Sequence, residues 1–83
     1  MVSAQVRISP AEGLHARPAA EFVRLATRAS HEVRVTRSDG KSANGASILE
    51  VLTLGLRQGE IATVTVSGPE EETLLEELIA LLG

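Results

Sequence analysis

The chain holds two histidines, His15 and His31, and the first lies in "EGLHARPAAEF", residues 12–22. An imidazole can act as a nucleophile near neutral pH because one ring nitrogen carries a free lone pair. Arg17 follows two residues later and supplies a fixed positive charge that can neutralise a bound anion. Pro18 suits the first turn of a helix, where its missing N–H would have had no partner. A helix starting just after His15 would turn the unpaired amides of Ala16 and Arg17 outward beside the ring. Such an opening binds anions, and its positive end favours an uncharged, attacking ring. Ala16 is small and leaves the approach open, while Gly13 lets the loop fold the ring over the amides. The chemistry this predicts is reversible capture of a phosphoryl group on His15. Nδ1, the nitrogen nearer the backbone, is the one whose phosphate can reach those amides. A residue before proline resists helical geometry, which places Arg17 at the helix boundary.

Other readings of these residues are weaker. His15 could merely precede a helix, with Arg17 a solvated charge. A metal site would need further ligands, and His31 follows a helix and opens a strand, as an ordinary surface residue would. A histidine-dependent phosphatase would need a general acid and a substrate pocket. The nearby carboxylates, Glu12 and Glu21, are not evidently aimed at the ring.

Composition narrows the classes further. The sequence has 83 residues, no cysteine, one aromatic residue (Phe22) and a net charge of −3. That length implies one domain, 1–83, with a thin core and a stability of about 5 kcal/mol. Hydrophobic residues make up 43% of the chain, enough for a folded core. The absence of cysteine excludes disulfides and thiolate metal sites. Negative charge and a single aromatic argue against nucleic-acid binding. No apolar run is long enough to insert in a membrane and the N-terminus does not read as a signal peptide, so a cytoplasmic protein is expected. A deep catalytic cleft is not expected either, so the chemistry belongs on the surface.

The elements that must position His15 follow from periodicity. Val2, Ala4, Val6 and Ile8 alternate as in a half-buried strand. Ser9 to Gly13 is a loop. From about Ala16 to Ala29 the pattern is helical, with Ala19, Phe22, Val23 and Ala26 on one face and Ala20 beside them. Val33 and Val35 mark a second strand, Ser38-Asp39-Gly40 a hairpin turn, and residues Lys41 to Ala43 a short third strand broken by Asn44-Gly45. Ser47 with Glu50 matches a capping box for a short helix to about Leu54, closed by Gly55. Residues 60–67 form the last strand, with Ala62, Val64 and Val66 on one face and Ile61, Thr63 and Thr65 on the other. Gly68-Pro69 opens a final helix with Glu70, Glu71 and Glu72 in its first turn and Leu74, Leu75, Leu78, Ile79 and Leu82 buried. The order β-α-β-β-α-β-α gives an α+β fold, an open-faced sandwich with three helices on one face of a four-stranded antiparallel sheet.

The segment Gly13-Leu14-His15-Ala16-Arg17-Pro18-Ala19 resembles the active-site signature of the histidine-containing phosphocarrier (HPr) family of the sugar phosphotransferase system. "GKSANGAS", residues 40–47, and "TLGLRQGE", residues 53–60, resemble the family at the expected places. The resemblance implies a carrier without a complete catalytic cycle of its own and without a cofactor. It would accept a phosphoryl group on His15 from phospho-enzyme I, ultimately from phosphoenolpyruvate, and pass it to an enzyme IIA domain. Arg17 would neutralise the group, and the backbone N–H groups of Ala16 and Arg17 would bind it. The family docks through the first helix and the short second helix, which here leaves Ile48, Leu49 and Leu52 outward and Val51 and Leu54 inward. Arg17, Arg24 and Arg28, spaced as one helical stripe, read as a basic docking rim. Ser47 matches a position that some members use for regulatory phosphorylation by a dedicated kinase/phosphorylase. Here it is also the expected N-cap, with Glu50 one turn away to repel a phosphate. A transcriptional regulator is a further partner that the family allows, and a monomer is expected. Two related readings stay open: a carrier for a nitrogen-regulatory phosphorelay or another sugar-kinase system, and a regulatory paralogue that binds without carrying phosphate.

Overall fold

The computed structural model describes residues 1–28 and 31–83. The elements are β1 (Val2–Arg7), α1 (Ala16–Ala26), β2 (Glu32–Arg37), β3 (Ser42–Asn44), α2 (Ile48–Leu54), β4 (Ile61–Ser67) and α3 (Glu71–Leu82). They occur in the expected β-α-β-β-α-β-α order. The four strands form one antiparallel sheet, ordered β1-β4-β2-β3, with the helices layered on one face.

Register explains why one face is apolar. Val2 pairs with Val66, which pairs with Val33, and Ala4, Val64, Val35 and Ala43 form the next row across the sheet. Alternation sends the rows between them, such as Gln5, Thr63, Thr36 and Ser42, to the opposite face. The inward rows meet Ala19, Phe22 and Ala26 of α1, Val51 and Leu54 of α2, and Leu74, Leu78 and Leu82 of α3 in one continuous core. Phe22 is fully buried there. Gly45 makes this packing possible: a Cβ at that position would lie 2.6 Å from Val33 Cγ1 and 3.0 Å from Phe22 Cε1. The strand–helix junction after β3 therefore sits directly on α1.

Several local expectations change. Helix α1 ends at Ala26, where Thr27 takes over as C-cap with its hydroxyl donating to the Arg24 carbonyl at 3.1 Å. The expected extension to Ala29 ends outside the described residues. Ala20 is exposed, and Val23 is partly buried at the margin of the core. Strand β3 is shifted one residue along from the expected Lys41 to Ala43, because Asn44 still pairs with Arg34 of β2 while pairing begins only at Ser42. Helix α3 starts at Glu71. Glu70 lies just outside it as N-cap, at φ +54°, so the first turn keeps Glu71 and Glu72 as its acidic residues.

Candidate functional site

His15 is the N-cap residue of α1, in extended backbone conformation (φ −137°, ψ 174°). Its side chain makes no capping hydrogen bond. An N-cap side chain ordinarily accepts from the second or third amide of the helix. The half-buried imidazole of His15 does not serve that purpose, so a merely structural cap does not account for it.

The next residue is distorted. Ala16 has φ +51°, in the left-handed region where a Cβ crowds the backbone. The helix boundary therefore falls at Ala16, one residue before the Arg17 expected. The first backbone bond onto this helix end is from Ala19 N–H to the His15 carbonyl, at 3.3 Å. Among the described residues, no acceptor pairs with the N–H of Ala16 or Arg17, and Pro18 has none to offer. Two free donors therefore follow directly on the imidazole.

The loop that carries His15 is seated on the chain just beyond α2. Leu14 N–H donates to the Leu56 carbonyl at 3.0 Å, and both side chains are fully buried. Gly13 has φ +70°, and a Cβ there would lie 2.5 Å from the Leu56 carbonyl oxygen and 2.9 Å from Arg57 Cα. Only glycine fits both the backbone angle and that approach.

Arg17 is exposed and makes no ion pair among the described residues. The neighbouring carboxylate, Glu21, is held by Arg24 at 2.8 Å. Hydrogen bonding and charge from Arg24, with a smaller contribution from Arg17, keep the Glu21 carboxyl below the usual range. Arg17, Glu12, Glu21, Pro18 and Leu81 border an open depression of about 720 Å³. Its openness fits a group handed over by another macromolecule better than a small substrate enclosed in a cleft.

The expected basic stripe is shorter than the sequence spacing implies. Arg28 lies beyond the end of α1, and its guanidinium donates to both carboxylate oxygens of Glu77 in α3, at 2.9 and 2.8 Å. Of the three arginines, Arg17 alone is without an ion pair among the described residues. The second helix agrees with expectation: Leu49 is 74% exposed, Ile48 43% and Leu52 38%, whereas Val51 is 0% and Leu54 9% exposed. Ser47 caps α2 by accepting from Glu50 N–H at 3.2 Å. The reciprocal half of the capping box is missing, because the Glu50 carboxylate accepts from Asn44 N–H at 3.0 Å instead. His31 lies apart from the site, with Nε2 against the Pro69 carbonyl.

Among the described residues, then, a histidine at the mouth of a helix precedes two amides without acceptors and an arginine without an ion pair, an arrangement able to receive an anionic group at an open surface. The family model described as the PTS HPr component phosphorylation site matches residues 2–83. The phosphocarrier protein HPr of Haemophilus influenzae is 45% identical over 82 residues, covering 99% of this chain and 95% of its own. The crystal structure of a phosphocarrier protein HPr from Bacillus anthracis superposes with a TM-score of 0.93 at 36% identity, covering 99% of this chain and 96% of that one. An HPr dimer from Thermoanaerobacter tengcongensis superposes with a TM-score of 0.73 at 36% identity, covering 98% of this chain and 92% of that one. The chain belongs to the HPr family of phosphotransferase-system phosphocarriers. Because an HPr dimer is among these relatives, family membership does not establish the expected monomer.

Sequence reasoning gave no role to Leu56, Arg37 or Glu60, which surround the seat of the His15 loop. "TLGLRQGE" was the available signal, but nothing in its spacing says that the Leu56 carbonyl meets Leu14.

Proposed function

We propose that this one-domain chain accepts a phosphoryl group on His15 Nδ1 from phospho-enzyme I and passes it to a histidine of an enzyme IIA domain. The ring, with its proton on Nε2, uses the Nδ1 lone pair to attack phosphorus. The bond from phosphorus to the donor breaks as the new P–N bond forms, and the reverse sequence delivers the group to the acceptor. The Ala16 and Arg17 amides and the Arg17 guanidinium would meet the phosphoryl oxygens, where charge-assisted bonds are strongest. One observation carries this reading: His15 occupies a cap position without capping, directly before two amides that have no partner among the described residues.

Ile48, Leu49 and Leu52 are proposed as the apolar docking surface, with Arg17 and Arg24 at its basic rim. Large exposed apolar side chains clustered on one short helix fit a reversible partner contact. Arg28, like Arg24 an exposed arginine already paired with one carboxylate, extends that rim beyond the end of α1. For Ser47, the existing cap and the carboxylate of Glu50 weigh against regulatory phosphorylation.

The test is incubation of the purified protein with enzyme I and phosphoenolpyruvate, followed by intact mass spectrometry and by transfer to an enzyme IIA domain. One acid-labile phosphoryl group should appear, and His15→Ala should remove it while leaving the melting temperature essentially unchanged. Label on the folded His15→Ala protein would reject the assignment.

A further inference from the structure

We infer that Arg37 and Glu60 are positioning residues for phosphoryl uptake, acting as a strut beneath the loop that carries His15. The inference rests on the carrier reading above. Arg37 ends β2, and its guanidinium crosses to the end of α2. Nη1 donates to the carbonyls of Leu54 and Gly55, at 3.0 Å each, and Nη2 donates to Glu60 Oε2 at 3.0 Å. The other oxygen of that carboxylate, Oε1, accepts from Arg57 N–H at 2.6 Å. The segment from Leu54 to Arg57 is therefore gripped at both ends by one ion pair. Between those grips lies Leu56, whose carbonyl accepts the Leu14 N–H, and Gly13 packs on the same carbonyl and on Arg57.

The chain of contacts runs from Arg37 and Glu60 to the 54–57 backbone, then to Gly13 and Leu14, and so to His15. Neither strut residue needs to touch the phosphoryl group. Arg37 is three-quarters buried, with a side-chain exposure of 24%, so its bonds are partly shielded from competing water. A planar guanidinium can address two carbonyls and a carboxylate at once; a lysine cannot reproduce that geometry. Transfer in line with a docked partner depends on ring placement, and displacement by about 1 Å can slow such a step by up to about a hundredfold.

The experiment compares Arg37→Ala and Glu60→Gln with the parent in the full chain. Hydrogen exchange of the Leu14 amide is read against Val64 and Val66 of the central strand, alongside kcat and KM for phosphoryl uptake from phospho-enzyme I. The expected result is Leu14 exchange faster by about tenfold with Val64 and Val66 unchanged, and kcat lower by about tenfold with KM within about twofold. Unchanged Leu14 exchange in the folded variants overturns the inference. So does equal loss of protection at all three amides, which signals global destabilisation, or faster Leu14 exchange with unaltered kcat. Should Arg37→Ala not fold, Glu60→Gln decides on the same readouts. If the parent itself takes up no phosphoryl group, the carrier reading fails, and Leu14 exchange alone then decides whether the strut holds the loop.

Discussion

Arg17 and Ala16 show how little side-chain machinery the site contains. Arg17 makes no ion pair among the described residues, so its substitution should register in transfer and not in folding. Arg17→Glu replaces the attracting charge with a repelling one beside the phosphoryl position. Transfer to the enzyme IIA should fall by at least about tenfold, in keeping with the ~1.5–3 kcal/mol of a charged hydrogen bond. Denaturant unfolding should change by no more than about 0.5 kcal/mol; equal losses would make Arg17 structural. Ala16 holds a left-handed angle that costs an alanine roughly 1–2 kcal/mol. Ala16→Gly relieves that cost while adding about 0.4–1 kcal/mol of unfolded-chain entropy, so stability should be kept or slightly raised. Ala20→Gly is the control, since Ala20 is exposed in the interior of α1 and should lose about 0.5–1 kcal/mol. Equal destabilisation by both substitutions would mean that Ala16 is not strained.

Among the elements, α2 has two duties that its seven residues divide by face. Val51 and Leu54 anchor it, Ile48, Leu49 and Leu52 point away, and its C-terminal end carries the seat of the His15 loop. Its start depends on Ser47, the single side-chain cap on Glu50 N–H. Ser47→Ala should cost about 1 kcal/mol in urea unfolding. No measurable cost would mean that Glu50, through its bond to Asn44, already fixes the junction. Helix α1 depends on burial instead: its N-cap side chain contributes no hydrogen bond, and Ala19, Phe22 and Ala26 hold it to the sheet. The end of α1 that bears the site is thus freed from a capping duty by packing further along the helix.

For the whole molecule, the antiparallel sheet leaves one layer of helices, and that layer displays both the histidine and the apolar face of α2. The contacts of Gly13 and Leu14 with Leu56 and Arg57, and of Gly45 with Phe22, align α1 and α2 side by side. A partner seated on α2 would accordingly sit beside the start of α1. Leu49→Asp tests this at the level of recognition. It should raise KM for enzyme I by about tenfold, the loss of roughly 1.4 kcal/mol of contact, with kcat and melting temperature little changed. A variant with the parent's KM would remove Leu49 from the docking surface.

The sequence by itself determined the element order and the alternation of the strands, and it singled out His15 as the candidate for phosphoryl transfer, because alternation, helical spacing and the Gly13-to-Ala19 signature are local. Periodicity within α2 did not choose its outward side chains; the family resemblance pointed to Ile48, Leu49 and Leu52, and the packing of Val51 and Leu54 on the core exposes them. Only the tertiary structure decided that α1 stops before Arg28 and that Arg28 belongs to Glu77. It alone placed the distortion at Ala16 and set the loop of His15 on Leu56, beneath which Arg37 and Glu60 meet. These outcomes depend on groups separated by tens of residues along the chain, and no periodicity within a segment encodes a distance between segments.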